Sequence, residues 1–149
     1  STVKIKKTTT GKIIDRKARK KLLELGYNYN HGTGHGVGYL SNVHEKYPSL
    51  SKFSDNKIYI NQVTSNEPGF YKKNDFGIRL ENLIYLNDDR IFENLTLVPF
   101  ENSMIVKSML TQKEKRWINN YHENVYEKIH KFLKNNEKEF LKNCCLKID

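Results

Sequence analysis

An α+β fold built on an antiparallel sheet is predicted from three observations on this 149-residue chain. Apolar residues recur at helical spacing near both ends, short β-prone runs separated by turns fill residues 58–97, and no internal repeat or low-complexity linker interrupts the order. With 37% hydrophobic residues, the chain can build one compact core but is too short for two ordinary domains.

The first element is a helix over Gly11–Gly26. Ile14, Ala18, Leu22 and Leu25 supply its apolar stripe, Asp15 lies in its first turn, and Gly26 supplies a stop. Residues 27–38 are rich in Gly, Asn and His without periodicity, and read as a loop that brings backbone and imidazoles close to something. Strand-like runs follow at Ile58-Tyr59-Ile60, Val63-Thr64, Gly77–Leu86 and Leu95–Val98. Turns at Pro68-Gly69 and Asn87-Asp88-Asp89 separate them. From Thr111 the pattern changes to a long C-terminal helix. Thr111 and Glu114 form its capping box, and Trp117, Ile118, Tyr121, Val125, Ile129, Phe132 and Leu133 line one side as core or partner surface. The organisation expected is 1–99 for the sheet-bearing part and 100–149 for a helical extension of the same domain.

Composition excludes several classes. No apolar run of membrane-spanning length occurs, and the start, Ser1-Thr2-Val3-Lys4-Ile5-Lys6, has no signal-peptide core, so no membrane association is expected. The adjacent Cys144 and Cys145 cannot frame a disulfide scaffold, which fits a cytoplasmic setting. The formal net charge of +9 raises the possibility of an anionic partner. The lysines, however, are spread along the chain among many asparagines, as in a compositional bias, and no nucleic-acid partner is expected. The first residue is not Met, consistent with a segment of something longer.

Three features carry chemistry. In Gly77–Leu86, strand alternation places Ile78, Leu80, Ile84 and Leu86 on one face, and Arg79, Glu81, Leu83 and Tyr85 on the other. The Arg79/Glu81 pair reads either as a surface ion pair on an edge strand or as a carboxylate held inward for a metal. Glu67 precedes the Pro68-Gly69 turn, which can return the chain antiparallel and set Glu67 beside Glu81. Two facing carboxylates repel unless cations lie between them, as in a two-metal site. The third feature is Asn30-His31-Gly32-Thr33-Gly34-His35-Gly36-Val37-Gly38 followed by Asn42-Val43-His44-Glu45. It holds three histidines within fourteen residues, in a glycine frame. No Lys-Ser/Thr pair opens a helix there, so a phosphate loop is set aside, and imidazole chemistry with a divalent metal fits better.

The runs HGTGHGVG, NVHE, NEPGFY and FGIRLEN, in this order and spacing, resemble eukaryotic Xaa-Pro aminopeptidase (aminopeptidase P), one of the pita-bread metallopeptidases. The similarity extends upstream to Thr10–Asp15 with Ala18-Arg19, and downstream to Leu95–Pro99 with Trp117–His122. It implies the C-terminal part of a pita-bread fold and a metal-dependent exopeptidase that cleaves N-terminal Xaa-Pro bonds. By motif, the resemblance implies that His35, Glu67 and Glu81 ligate two divalent metal ions, Mn²⁺ in first place with Zn²⁺ or Co²⁺ as alternatives. It implies that Glu67 handles the proton of the attacking water and that His44 binds substrate and moves protons. His31, His35, Tyr71 and Arg79 are likewise implied at the substrate-binding side, Tyr71 and Arg79 within a hydrogen-bonded network. Peptides with proline second are the implied substrates, and a homodimer the implied assembly. A prolidase-like dipeptidase and a catalytically inactive pita-bread binding module are the alternatives.

The sequence departs from that pattern in three places. The family's two metal-binding aspartates lie upstream of the glycine-rich loop, and Asp15 does not match them, so this stretch is expected to begin inside the catalytic domain and to hydrolyse little alone. Lys46-Tyr47 stand where the family has Gly-Pro, which predicts a longer loop beside the substrate. Asn61 replaces a glycine, and asparagine is the next best residue for a left-handed turn.

Overall fold

A computed structural model describes residues 4–40 and 42–149; Ser1, Thr2 and Val3 of the N-terminal stretch, and Ser41, lie outside the described residues. The chain divides into two compact units, one ending at Thr96 and one beginning at Leu97.

In the first unit, α1 spans Gly11–Glu24. Its stripe is less buried than expected: Ile14, Ala18 and Leu22 are half-buried and Leu25 is exposed. The buried positions are Gly11, Asp15 and Arg19. An acid and a base four residues apart share one helix face, and here that face is turned inward.

Five strands, β1 (Gly34–Gly36), β2 (Glu45–Leu50), β3 (Val63–Asn66), β6 (Asn82–Leu86) and β7 (Phe92–Asn94), form one sheet in the order β2-β1-β3-β6-β7. A two-stranded ribbon pairs β4 (Gly69–Tyr71) with β5 (Gly77–Arg79). All pairings are antiparallel.

Several elements correct the sequence reading. Residues 34–36, expected in a loop, are a central strand. A side chain at Gly34 would lie 2.0 Å from the Ser65 carbonyl oxygen and one at Gly36 the same distance from that of Tyr47, so only glycine lets three backbones pack this closely. Lys46-Tyr47-Pro48, expected in a lengthened loop, belong to β2. Gly34 pairs with Leu50 but Gly36 with Glu45, so β2 bulges to absorb its extra residues within the ladder. Ile58–Ile60 form no strand. Ile58 is nevertheless a core residue, while Tyr59 and Ile60 are exposed. Leu95–Val98 is replaced as a strand by Phe92–Asn94: the Leu95 N–H still donates to the Leu83 carbonyl, but the Leu83 N–H turns to the Thr96 hydroxyl and the regular ladder stops. Asn61 does adopt the left-handed conformation expected of it, with φ 62°.

Leu50, Ile58 and Leu86 form the core of this unit, with Ile5, Ile14 and Phe92 packed around them. Each fully buried aliphatic side chain contributes about 1.5–3 kcal/mol. The same unit also buries Asp15, Arg19, Thr33, Thr64, Ser65 and Glu67.

In the second unit, the capping box of Thr111 and Glu114 is formed as expected and opens α2 (Gln112–Ile129). The helical pattern does not run unbroken to Leu133. A 3-10 turn at His130–Phe132 intervenes before α3 (Asn135–Cys144), and Phe132 is exposed. Ile118, Tyr121 and Val125 are the buried part of the stripe, while Trp117 is half exposed. Tyr121, Val125 and Leu141 make the core, with Leu97, Phe100, Ile129 and Leu133 against it. Cys144 and Cys145 are free thiols. Among the described residues, no helix is long and apolar enough to cross a membrane.

Candidate metal centre

The predicted strand Gly77–Leu86 is broken at Leu80-Glu81, and the break builds the site. On one side Asn66 pairs with Asn82; on the other Gly69 pairs with Arg79, in unchanged register. Glu67 and Glu81 therefore oppose each other across the unpaired step, where the Leu80 N–H donates to the Pro68 carbonyl at 3.2 Å. β1 lies on the other side of β3, with Gly36 opposite Thr64, and brings His35 to the same place.

His35, Glu67 and Glu81 each offer a ligand atom, all within 4.8 Å of one another. The tautomer of His35 follows from its neighbours. Its Nδ1 lies 2.8 Å from the Gly36 carbonyl, which can only accept, so Nδ1 carries a proton, and in the neutral ring Nε2 holds the lone pair. That Nε2 faces Glu67 Oε1 at 3.3 Å. A lone pair and two carboxylates converging on one point favour a cation between them. One imidazole with two carboxylates is a donor set for a divalent metal ion.

Glu67 is nearly buried and held from two sides. Ser65 Oγ donates to Oε1 at 3.0 Å, and Arg79 Nη1 donates to Oε2 at 3.0 Å. Ser65 Oγ also accepts the His35 N–H at 3.0 Å, tying two ligand-bearing strands through one hydroxyl. The residue hydrogen-bonded to Arg79 is thus Glu67, not the Glu81 that strand alternation suggested.

A directed chain of hydrogen bonds runs along the edge of the site. Arg79 Nε donates to the Tyr71 hydroxyl at 2.9 Å, and the hydroxyl lies 2.8 Å from His31 Nε2. His31 Nδ1 faces the Gly32 carbonyl at 2.7 Å and must be the protonated nitrogen, so Tyr71 donates to Nε2. The bond to Tyr71 raises the Arg79 pKa above its ordinary value, and the Glu67 and Glu81 charges act in the same direction. His44 is exposed, with its ring centroid 4.4 Å from that of His35.

All seven residues singled out from sequence, His31, His35, His44, Glu67, Tyr71, Arg79 and Glu81, are linked within one neighbourhood. Ser65 escaped the reading, because a serine inside a short polar strand carries no signal. So did the cluster of Asp15, Arg19, Tyr29 and Thr33 beneath the histidine loop, although an acid and a base at i and i+4 could have drawn attention to it.

Comparison with known proteins gives concordant results. The family model described as metallopeptidase family M24 matches residues 2–88, and one described as the C-terminal region of that peptidase matches residues 91–148. A curated relative from Coprinopsis cinerea, named a probable Xaa-Pro aminopeptidase P, is 36% identical over 90% of this chain and 24% of its own length. The X-prolyl aminopeptidase of Caenorhabditis elegans, described as a cytosolic enzyme with a di-nuclear active site, is 34% identical. It superposes with a TM-score of 0.84 over 98% of this chain and 26% of that one. The prolidase of Pyrococcus horikoshii is 33% identical with a TM-score of 0.56, over 64% of this chain and 27% of its own. The chain thus spans about a quarter of the length of the relatives it matches.

Proposed function

Because the chain belongs to metallopeptidase family M24, we propose that it is the part of a metal-dependent exopeptidase that closes the metal site and contacts substrate, acting on peptides at an N-terminal Xaa-Pro bond. The observation that carries this reading is the convergence of His35 Nε2 with the Glu67 and Glu81 carboxylates within 4.8 Å. Three residues leave coordination positions of two ions open, and polypeptide outside these 149 residues, together with water, would supply the remaining ligands. Two divalent ions, Mn²⁺ in first place, would supply Lewis acidity at the scissile carbonyl and at the attacking water.

The chain's own residues have separable tasks. Glu67 is the carboxylate that takes the proton of the attacking water, and Arg79 and Ser65 fix its orientation. His44, exposed beside His35, is free to bind substrate and exchange a proton with it. His31 presents an imidazole locked by Gly32 and Tyr71 on the substrate side. Aminopeptidase activity is favoured over a prolidase-like one because the match to the C. elegans aminopeptidase extends through the second unit, whereas the prolidase match covers 64% of the chain. A cytosolic setting and a homodimer accompany this reading, the former in keeping with the C. elegans enzyme.

The test uses the full-length polypeptide and the 149-residue chain side by side. Full-length protein is expected to cleave Xaa-Pro peptides in a Mn²⁺-dependent manner, and His35→Ala and Glu81→Ala to lose both activity and bound metal. The short chain is expected to bind Mn²⁺ weakly and to show little turnover. Wild-type activity in either variant defeats the assignment.

A further inference from the structure

Beneath the loop that carries His31 lies a buried ionic cluster to which the proposed reaction gives no task. Asp15 and Arg19 of α1 are 2% and 7% exposed. Arg19 Nε and Nη2 donate to the two Asp15 oxygens, each at 2.9 Å. Nη1 donates to Asn28 Oδ1 at 2.8 Å and to the Tyr29 carbonyl at 2.6 Å, and Nη2 donates to the His31 carbonyl at 2.5 Å. A guanidinium has five N–H groups, and five acceptors are met here.

The rest of the cluster is directional as well. Thr33 Oγ1 donates to Asp15 Oδ1 at 2.7 Å, because the carboxylate can only accept. Tyr29 OH must then be the donor in its 2.5 Å contact with Thr33 Oγ1. Burial raises the Tyr29 pKa, which keeps that hydroxyl protonated. The Arg19 guanidinium sits 3.8 Å from the centre of the Tyr29 ring, and the imidazole of His31 lies 4.9 Å from the same ring. The carbonyls of residues 29 and 31 are therefore clamped to α1 while the side chain between Gly32 and Tyr71 is supported from below.

We propose that Arg19, braced by Asp15, is a positioning residue for His31: it fixes the backbone and underlying ring that hold the His31 imidazole toward the substrate side. Removing a buried charge partner is costly for any fold, so stability alone cannot test this. The catalytic part of the inference rests on the exopeptidase reading above, and two readouts separate the two.

The first readout is independent of catalysis. In the ¹⁵N-histidine-labelled full-length protein, ¹⁵N–¹H correlation is expected to show His31 as a single Nδ1–H tautomer. In Arg19→Lys, which has only three donors, His31 is expected to average between tautomers while His35 keeps its signal. The second is a double-mutant cycle in the full-length protein on an Xaa-Pro peptide. Arg19→Lys is expected to lower kcat/KM by about 10- to 100-fold at unchanged metal content, and to have no further effect in a His31→Ala background. Should Arg19→Lys fail to fold, Asp15→Asn/Arg19→Gln removes both buried charges and carries the same comparisons. A fixed His31 tautomer in the variants, or an equal loss of kcat/KM with and without His31, overturns the proposal. If wild-type protein does not cleave Xaa-Pro peptides, the exopeptidase reading falls while the imidazole spectra still decide the positioning.

Discussion

The two units are stabilised in opposite ways. The first buries only three aliphatic side chains in its core cluster and, beside them, a set of polar groups: Asp15 with Arg19, Thr33 with Tyr29, Ser65 with Glu67. The second is held by an apolar stripe on α2 and α3, with Tyr121, Val125 and Leu141 at its centre and His122 as its one buried ring nitrogen pair among the described residues. A buried polar group gives little net stability, and loses much when its partner is removed, but it fixes direction. Direction is what a ligand site needs, and an apolar stripe can tolerate its absence.

Substitutions can break that contrast. The largest effect is expected for Glu67→Gln in the full-length protein: a loss of about 10²–10⁴-fold in kcat, with the folded state retained, checked by steady-state kinetics and circular dichroism. The reverse pattern is expected for Leu141→Ala, about 2–5 kcal/mol less stable by urea unfolding yet unchanged in Mn²⁺ affinity. If Leu141→Ala weakens metal binding instead, the units are not functionally separable. Ser65→Ala removes the hydroxyl that orients Glu67 and receives the His35 N–H. It is expected to cost about 10- to 100-fold in metal affinity by calorimetry, the usual range for groups that orient ligands.

The smallest effect tests the apolar unit by pH. His122 is fully buried, its Nε2 accepts the Phe100 N–H at 3.0 Å, and burial lowers its pKa, against a weaker upward pull from the Leu146 backbone. A depressed pKa means that the unfolded chain takes up the proton first as pH falls. Stability from this group is therefore complete above the unfolded value of about 6.5 and declines toward the lower folded value, by at most about 1.4 kcal/mol per pH unit. Urea midpoints between pH 7.5 and 5 should show this slope and His122→Gln should abolish its share; an identical slope in the variant removes His122 from the account.

Much of the site was legible before the structure because its signals are local. The histidines stood out against their glycines and the two carboxylates were named, but the reversal that sets Glu67 opposite Glu81 lies at residues 72–76, not at Pro68-Gly69, where the chain runs straight on in unchanged register. The capping box at Thr111 and the left-handed Asn61 are likewise written in single residues and confirmed by geometry. What escaped was non-local. Nothing in Gly34-His35-Gly36 marks a strand, since its strand character comes from two neighbours whose carbonyls leave no space for a side chain. Periodicity also cannot show that a ten-residue β-prone run will split between a sheet and a ribbon at Leu80-Glu81.

The sequence by itself determined the α+β class, α1 and the capped start of α2, the family likeness and the identities of the candidate ligands, because these depend on residue type and spacing along the chain. Only the tertiary structure decided that Arg79 pairs with Glu67, that Ser65 joins His35 to Glu67, and that Asp15 and Arg19 face inward beneath His31. The reason is physical. A buried polar group takes its meaning from the one partner that satisfies it, and that partner is chosen by folding.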